Sequence, residues 1–378
     1  MYEDRIRRLV VSGTLGIVVV ALLMGFSPRK MLAQGFSGAV YTLTNQATGN
    51  AAIVFDRAAG IGTLTLAGSF PTGGAGTGTG PDPLGSQGAV VLNESNSLLF
   101  AVSAGSNQVS AFTVDGDRLQ LLNTIGSGGT RPISVAVHGS LVYVLNAGGT
   151  PNIAGFTIEP WTNKLVALQG SERPRAGGSA ANPAEISFSL DGRILMVTEK
   201  GTQTIDTYTV NWDGTVSGPI SNHSSGATPF GFEFTHRSLA IVAEAGTTSN
   251  ALSSYRADQN GELGLITGSL ENGQRGVCWA LVTNDGRYAY TVNAGSGTLS
   301  SYAVSPEGFL DLLNPAAAST GSGSTPTDPA LSSDSEFLYI RDAGLNVVHG
   351  YRVEADGSLM LVGATGGIPT GGQGLAAR

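Results

Sequence analysis

Two pairs of carboxylates in this chain share one spacing. Glu185 and Glu199 are 14 residues apart, and so are Asp328 and Asp342. Carboxylates held close together in a poorly solvated place raise one another's pKa. One of them can then serve as general base on a water molecule attacking an ester-type carbonyl. Glu244 belongs with them by its context, IVAEAG, which parallels MVTEKG around Glu199 and YIRDAG around Asp342. Arg131 and Arg275, each just ahead of an apolar run, are candidates to stabilise an oxyanion. Trp279 is a candidate apolar wall, and Asn146, Asn293, Asp328 and Asp342 are candidate ligand contacts. The competing role for every one of these residues is capping a turn and bonding exposed backbone.

The elements that must position these groups are short strands. In NPAEISFSLDGRILMVTEKGTQTIDTYTV, Asn182 to Val210, Ile186 and Phe188 alternate with Ser187 and Ser189. Asp191-Gly192 turns the chain, and Ile194 to Val197 is a continuous apolar run. Lys200-Gly201 turns it again, and Ile205 to Val210 is β-branched with a tyrosine. A fourth strand follows around Thr215 to Ile220. Four antiparallel strands in this length make one propeller blade.

The pattern recurs. Polar residues close the second strand of each unit at Asn45, Ser103, Asn146, Glu199, Glu244, Asn293 and Asp342, at intervals of 58, 43, 53, 45, 49 and 49 residues. Third strands follow as AIVF, VSAF, IAGF, IDTY, LSSY, LSSY and VHGY. The fold predicted is all-β: a seven-bladed β-propeller of four-stranded antiparallel blades. The first unit lacks its innermost strand, and GGQGLAAR at the C-terminus parallels GSQGAVVL, which opens the second unit. The C-terminal strand is therefore expected to complete blade 1 and close the ring.

Antiparallel topology makes inner strands begin where second strands end. The second-strand ring and an inner-strand ring of Ala89, Ser134, Glu185, Gly231, Trp279, Asp328 and Leu375 are thus expected to converge on one acidic funnel. Several carboxylates there make Ca²⁺ a candidate ligand, although the reading preferred is no metal and no cofactor. No His/Cys constellation for zinc and no G-x-S-x-G elbow is present. The Gly-rich stretch Gly73 to Gly80, GGAGTGTG, lacks the Lys-Ser/Thr of a phosphate loop and is read as a flexible inter-blade loop.

Residues 1–35 combine Arg5, Arg7 and Arg8 with an uncharged run from Leu9 to Phe26 and the sequence MLAQG. This is an export segment, preferred as a cleaved signal peptide over an uncleaved membrane anchor. Residues 36–378 then form one propeller outside the cytoplasm: periplasmic, secreted or membrane-anchored. A net charge of −8 with no basic stripe excludes nucleic acid as a partner. The single cysteine, Cys278 in VCWALV, forms no intramolecular disulfide and reads as a structural thiol. A closed ring is expected to be monomeric.

PAEISFSLDGRILMVTEKG, TVNAGSGTLSSY and YVLNAGG resemble the blade sequences of the lactonase-like seven-bladed propellers, the family of bacterial 6-phosphogluconolactonases and fungal carboxymuconate-lactonising enzymes. The resemblance runs over residues 38–378 and implies hydrolysis of a lactone. Enzymes of that family tend to carry His and Arg at inner-strand starts. Here Glu185 stands in the His place and only Arg131-Pro132 remains in blade 3. His138, His223, His236 and His349 fall elsewhere. The alternative is a non-catalytic binding or scaffold propeller of the cell envelope.

Overall fold

The computed structural model describes residues 36–247 and 249–378, and residues 1–35, where an export segment is expected, lie outside the described residues. The repeat units are seven antiparallel sheets. Blade 4 is typical: inner strand Pro183–Phe188, second strand Ile194–Glu199, third strand Thr204–Val210, outer strand Val216–His223, paired in that order. The turn at Asp191-Gly192 is made possible by glycine's positive φ of 70°. In blade 3 the outer strand is broken into Leu165–Ala167 and Arg173–Pro174.

The two middle strands of a blade are sandwiched between neighbouring blades, so both of their faces are buried. That is why second strands read as continuous apolar runs. Every residue of Leu98–Ser103, Ile194–Glu199 and Phe337–Asp342 is buried. Outer strands have one wet face and alternate, as in Leu64–Pro71. Each third strand contributes one fully buried aromatic to the inter-blade packing: Phe55, Phe112, Phe156, Tyr208, Tyr255, Tyr302 and Tyr351.

The seven inner strands contact one another in succession around a closed ring, with Gln373–Ala377 between Pro326–Leu331 and Val90–Leu92. That last strand pairs with Phe36–Leu43 in the register Val40↔Ala377 and Leu43↔Gln373, so the C-terminus supplies the inner strand of blade 1. Further ties hold it there. The Arg378 amide donates to the Ala39 carbonyl at 2.9 Å, and Arg57 Nε donates to the Arg378 carbonyl at 3.2 Å.

Blades 3 to 7 share a register shift near the start of the inner strand, for example between Pro183 and Ile186 and between Pro229 and Phe232. A bulge re-aims the side chains beside it. Here it falls where the inner-strand ring lies.

Candidate functional site

The two rings expected to meet in one funnel do not meet. All seven second-strand residues are 2% exposed or less. Most anchor the connection that enters their own blade. Glu199 accepts from Arg175 Nε at 3.1 Å, Thr202 Oγ1 at 2.7 Å and the Gly177 amide at 3.2 Å. Burial raises the Glu199 pKa and the Arg175 guanidinium opposes that; Arg175 also pairs with Asp206. Glu244 accepts from the Gly226 amide and Ser253 Oγ, each at 2.8 Å, and from Ser269 Oγ at 2.8 Å. Asp342 takes the amides of Thr325 and Gly344 at 2.9 Å, Ser324 Oγ at 2.5 Å and the His349 ring at 2.9 Å. Asn146 donates to the Ser127 carbonyl at 3.0 Å, and Asn293 donates to Ser300 Oγ at 2.9 Å while accepting from Asn272. These are turn-anchoring geometries. Glu185 and Glu199 have separate hydrogen-bond partners, as do Asp328 and Asp342, so neither 14-residue pair is a contacting dyad.

Of the expected inner-strand ring, Glu185 and Leu375 line a central cavity, while Ala89, Ser134, Gly231, Trp279 and Asp328 are not in its lining. The cavity, of about 470 Å³, is lined by Glu185, Glu233 and the inner strands of blades 2, 3, 7 and 1. Its lining includes Glu94, Asn96, Asn284 and Ser333, in the turns that follow inner strands, so it widens toward the face where those strands end. The site was expected at the opposite face, where inner strands begin.

That opposite mouth is filled by Pro81 to Gly88. The Gly-rich stretch ahead of it is pinned: the Gly76 amide donates to the Gln46 carbonyl at 2.8 Å and the Gly78 amide to the Asn45 carbonyl at 2.9 Å. It runs so close to Asn45 that a Cβ on Gly76 would lie 2.2 Å from the Asn45 carbonyl carbon. Gln87 then crosses the channel, its Nε2 donating to the Ala280 carbonyl at 3.0 Å and the Phe232 carbonyl at 3.3 Å. Arg131 and Trp279, expected to hold a ligand, hold this segment instead. Arg131 Nη2 donates to the Pro83 carbonyl at 2.9 Å, and Trp279 Nε1 to the Ser86 carbonyl at 3.0 Å. Arg275 is exposed and bonds the Gly295 carbonyl at 3.3 Å, away from the cavity lining.

Glu233 is the residue that the pattern of the sequence held but the alignment passed over. It lies two residues beyond Gly231, between the buried Phe232 and Phe234. Alternation therefore sends it into the channel. Burial pushes its carboxyl up to about 7, with the Val282 amide pulling the other way. Glu185 Oε2 accepts from the Phe232 amide at 2.6 Å. Burial raises the Glu185 pKa well above the usual range, Phe232 opposes, and the charge of Glu233 adds to the rise. Asp328, 2% exposed at the start of blade 7's inner strand, is raised to about 7 by burial against the pull of Arg341. Among the described residues no group of three His, Cys, Asp or Glu side chains is arranged to hold a metal ion.

Residues 150–280 match the family model of the lactonase seven-bladed β-propellers. Over that stretch the propeller is similar to the lactonase family. The 6-phosphogluconolactonase of Yersinia pestis (strain Pestoides F) is 33% identical over 81 residues, 21% of this chain. That alignment spans only 24% of the curated relative's length. Among solved structures, a Lactobacillus plantarum protein superposes with a TM-score of 0.70 at 20% identity, over 91% of this chain and 100% of that one. The periplasmic gluconolactonase of Pseudomonas aeruginosa does so with a TM-score of 0.68 at 14% identity, over 88% and 97%. At these identities the likeness is one of fold. This propeller has acidic groups on the inner strands of blades 4, 5 and 7, and its cavity lining holds no Lys, Arg, His or Cys.

Proposed function

We propose that the propeller is an exported, metal-independent hydrolase of a small neutral lactone, which it takes into the cavity between Glu185 and Glu233. The observation that carries this reading is the pair itself. Two carboxyl groups on adjacent inner strands line one cavity in environments that push their pKa values upward to different extents. Titratable neighbours held apart in this way divide the acid and base roles. Glu233, with a pKa of about 7, is the base. It takes a proton from water as the water oxygen bonds to the lactone carbonyl carbon. Glu185, kept protonated by burial, donates a hydrogen bond to the developing oxyanion. Collapse of the tetrahedral intermediate breaks the ring C–O bond. The proton on Glu233 passes to the leaving alkoxide, giving a hydroxy acid.

A lining with carboxylates and no basic residue repels phosphorylated and other anionic substrates. The substrate class is therefore a neutral lactone rather than a sugar phosphate. It also disfavours retention of the anionic product. Export is supported by the Arg-led apolar segment at the N-terminus and by the fold shared with a periplasmic gluconolactonase.

The test is hydrolysis of a panel of neutral sugar and acyl lactones, with EDTA or Ca²⁺ added. Saturable turnover that is indifferent to EDTA and absent in Glu233→Gln supports the reading. Dependence on Ca²⁺ would overturn metal independence. A second reading rests on the absence of any Lys, Arg, His or Cys beside Glu233 in the lining: a binding propeller of the envelope without turnover. Saturable lactone binding with no hydrolysis at any pH would favour it.

A further inference from the structure

The segment Pro81 to Gly88 is held in a way that reads as occupancy of a site. Side chains from four blades each donate to one of its carbonyl oxygens. Arg341 of blade 7 bonds Pro81 O at 3.0 Å, Arg131 at the start of blade 3 bonds Pro83 O at 2.9 Å, Lys200 following the second strand of blade 4 bonds Gly85 O, and Trp279 of blade 6 bonds Ser86 O at 3.0 Å. Three of these donors are cations, yet they are spent on neutral carbonyls. A cation bonds an oxyanion about twice as strongly.

The segment also leaves part of its seat unserved. Arg341 Nε, Asp328 Oδ2 and Gln373 Nε2 have no hydrogen-bond partner, although the three residues are only 1%, 2% and 1% exposed. All three adjoin the segment. Arg341 holds Pro81, Gln373 Oε1 accepts from the Leu84 amide at 2.9 Å, and Asp328 lies one strand position from Thr327, which Arg341 also bonds at 2.8 Å. Buried polar atoms are nearly always paired, so three orphans around one seat point to a missing occupant.

The attachment is built to release. The segment belongs to no strand, and Leu84 is its one buried apolar side chain, at 3% exposure. Gly80 and Gly88 have φ of 129° and 80°, conformations that only glycine adopts freely, and they bracket it.

We propose that residues 81–88 are a displaceable plug whose carbonyl oxygens stand in for a small multivalent oxygen anion of the hydroxy-polycarboxylate type. When the plug lifts, Asp82 leaves with it. Arg131, Lys200 and Arg341 then face the vacated mouth, with Asp328 and the Glu185 carboxyl beneath Gln87 as the remaining acidic groups. Three cations from three blades suit an anion with more than one carboxylate. The Asp328 and Gln373 orphans suit a hydroxyl group. The inner end of the plug, Gln87 and Gly88, also lines the lactone cavity, which opens at the other face.

Cys278 supplies the measurement. It is the chain's single thiol, it adjoins Trp279, and it is part-buried; burial raises its pKa to about 12, the charge of Asp82 adding to the rise and Lys200 opposing it. In the full chain, Leu84→Ser removes the apolar anchor and Arg131→Gln removes an exposed latch. Each is expected to speed modification of Cys278 by a thiol reagent, by about tenfold for Leu84→Ser. Millimolar citrate should restore the slow rate, glucose should not, and adding Arg341→Gln should abolish the citrate effect. Unchanged labelling in both variants overturns the plug. Fast labelling that citrate does not slow, or that glucose slows equally, overturns the anion site. The readout requires no lactone turnover, so it stands or falls apart from the hydrolase reading.

Discussion

At the scale of single residues, the same side-chain type does opposite things on neighbouring strands of one blade. Glu199, Glu244 and Asp342 are fully buried and saturated with donors, which makes them staples for the connections that enter their blades. Burial opposes ionisation of Asp342, but His349, Ser324 and two backbone amides hold its carboxyl below the usual range. A depressed pKa contributes stability that is full above the unfolded value of 3.8, declines below it, and is gone only once pH has fallen through the lower folded value. Asp342→Ala should cost on the order of 3 kcal/mol because several donors lose their acceptor. Urea melts at pH 7 and pH 3 check this, and the gap between variant and parent should narrow at the lower pH.

Glu233 has the reverse sign. Its folded pKa of about 7 lies above the model-peptide value of 4.5, so its stabilising contribution is intact below 4.5 and lost as pH rises through 7. Glu233→Gln should therefore melt higher than the parent at pH 8 and equally at pH 4.5, while its lactone hydrolysis falls on the order of 100-fold. In the parent, turnover should rise as pH increases through about 7, because the base must be ionised.

At the scale of elements, the inner strands matter most. A bulge at their start in blades 3 to 7 turns Glu185 into the channel, and strict alternation beyond it carries Glu233 one step deeper. Hydrophobic pattern alone gives the alternation but not the bulge, since the register shift arises from pairing with the second strand. The strand Gln373–Ala377 is the other decisive element. Without it, Phe36–Leu43 would keep one unpaired edge and the ring would lose two inter-blade contacts. Deleting residues 371–378 should lower the melting temperature of the whole propeller by about 10 °C or more, in one broadened transition. A melt that matches the full-length chain would show that blade 1 does not need this strand.

At the scale of the whole molecule, closure leaves two mouths of unlike character: one stoppered by the chain's own residues 81–88 and one widening onto a carboxylate-lined cavity. If the N-terminal segment directs export, tagged full-length protein should be recovered outside the cytoplasm with an N-terminus near residue 34, and Arg5, Arg7 and Arg8 replaced by neutral residues should retain it inside. The ring, the blade count and the closing strand were legible because each depends on local facts: turn residues, apolar runs and a period near one blade. The null role of Asn, Asp and Glu at strand ends was legible too, since capping is also local. What the repeat could not reveal was convergence. Which of fourteen ring positions share a space, and which face of the disc stays open, depend on bulge geometry and on a loop folding back across the axis. Residues 81–88 look in sequence like an ordinary Pro/Gly connection. Only when seven inner strands bring Arg131, Lys200, Trp279 and Arg341 to one mouth does that connection gain partners. Strand formation and repeat stacking are short-range, so the fold can be read along the chain; a site is a meeting of residues far apart along it, so its members come together only on folding.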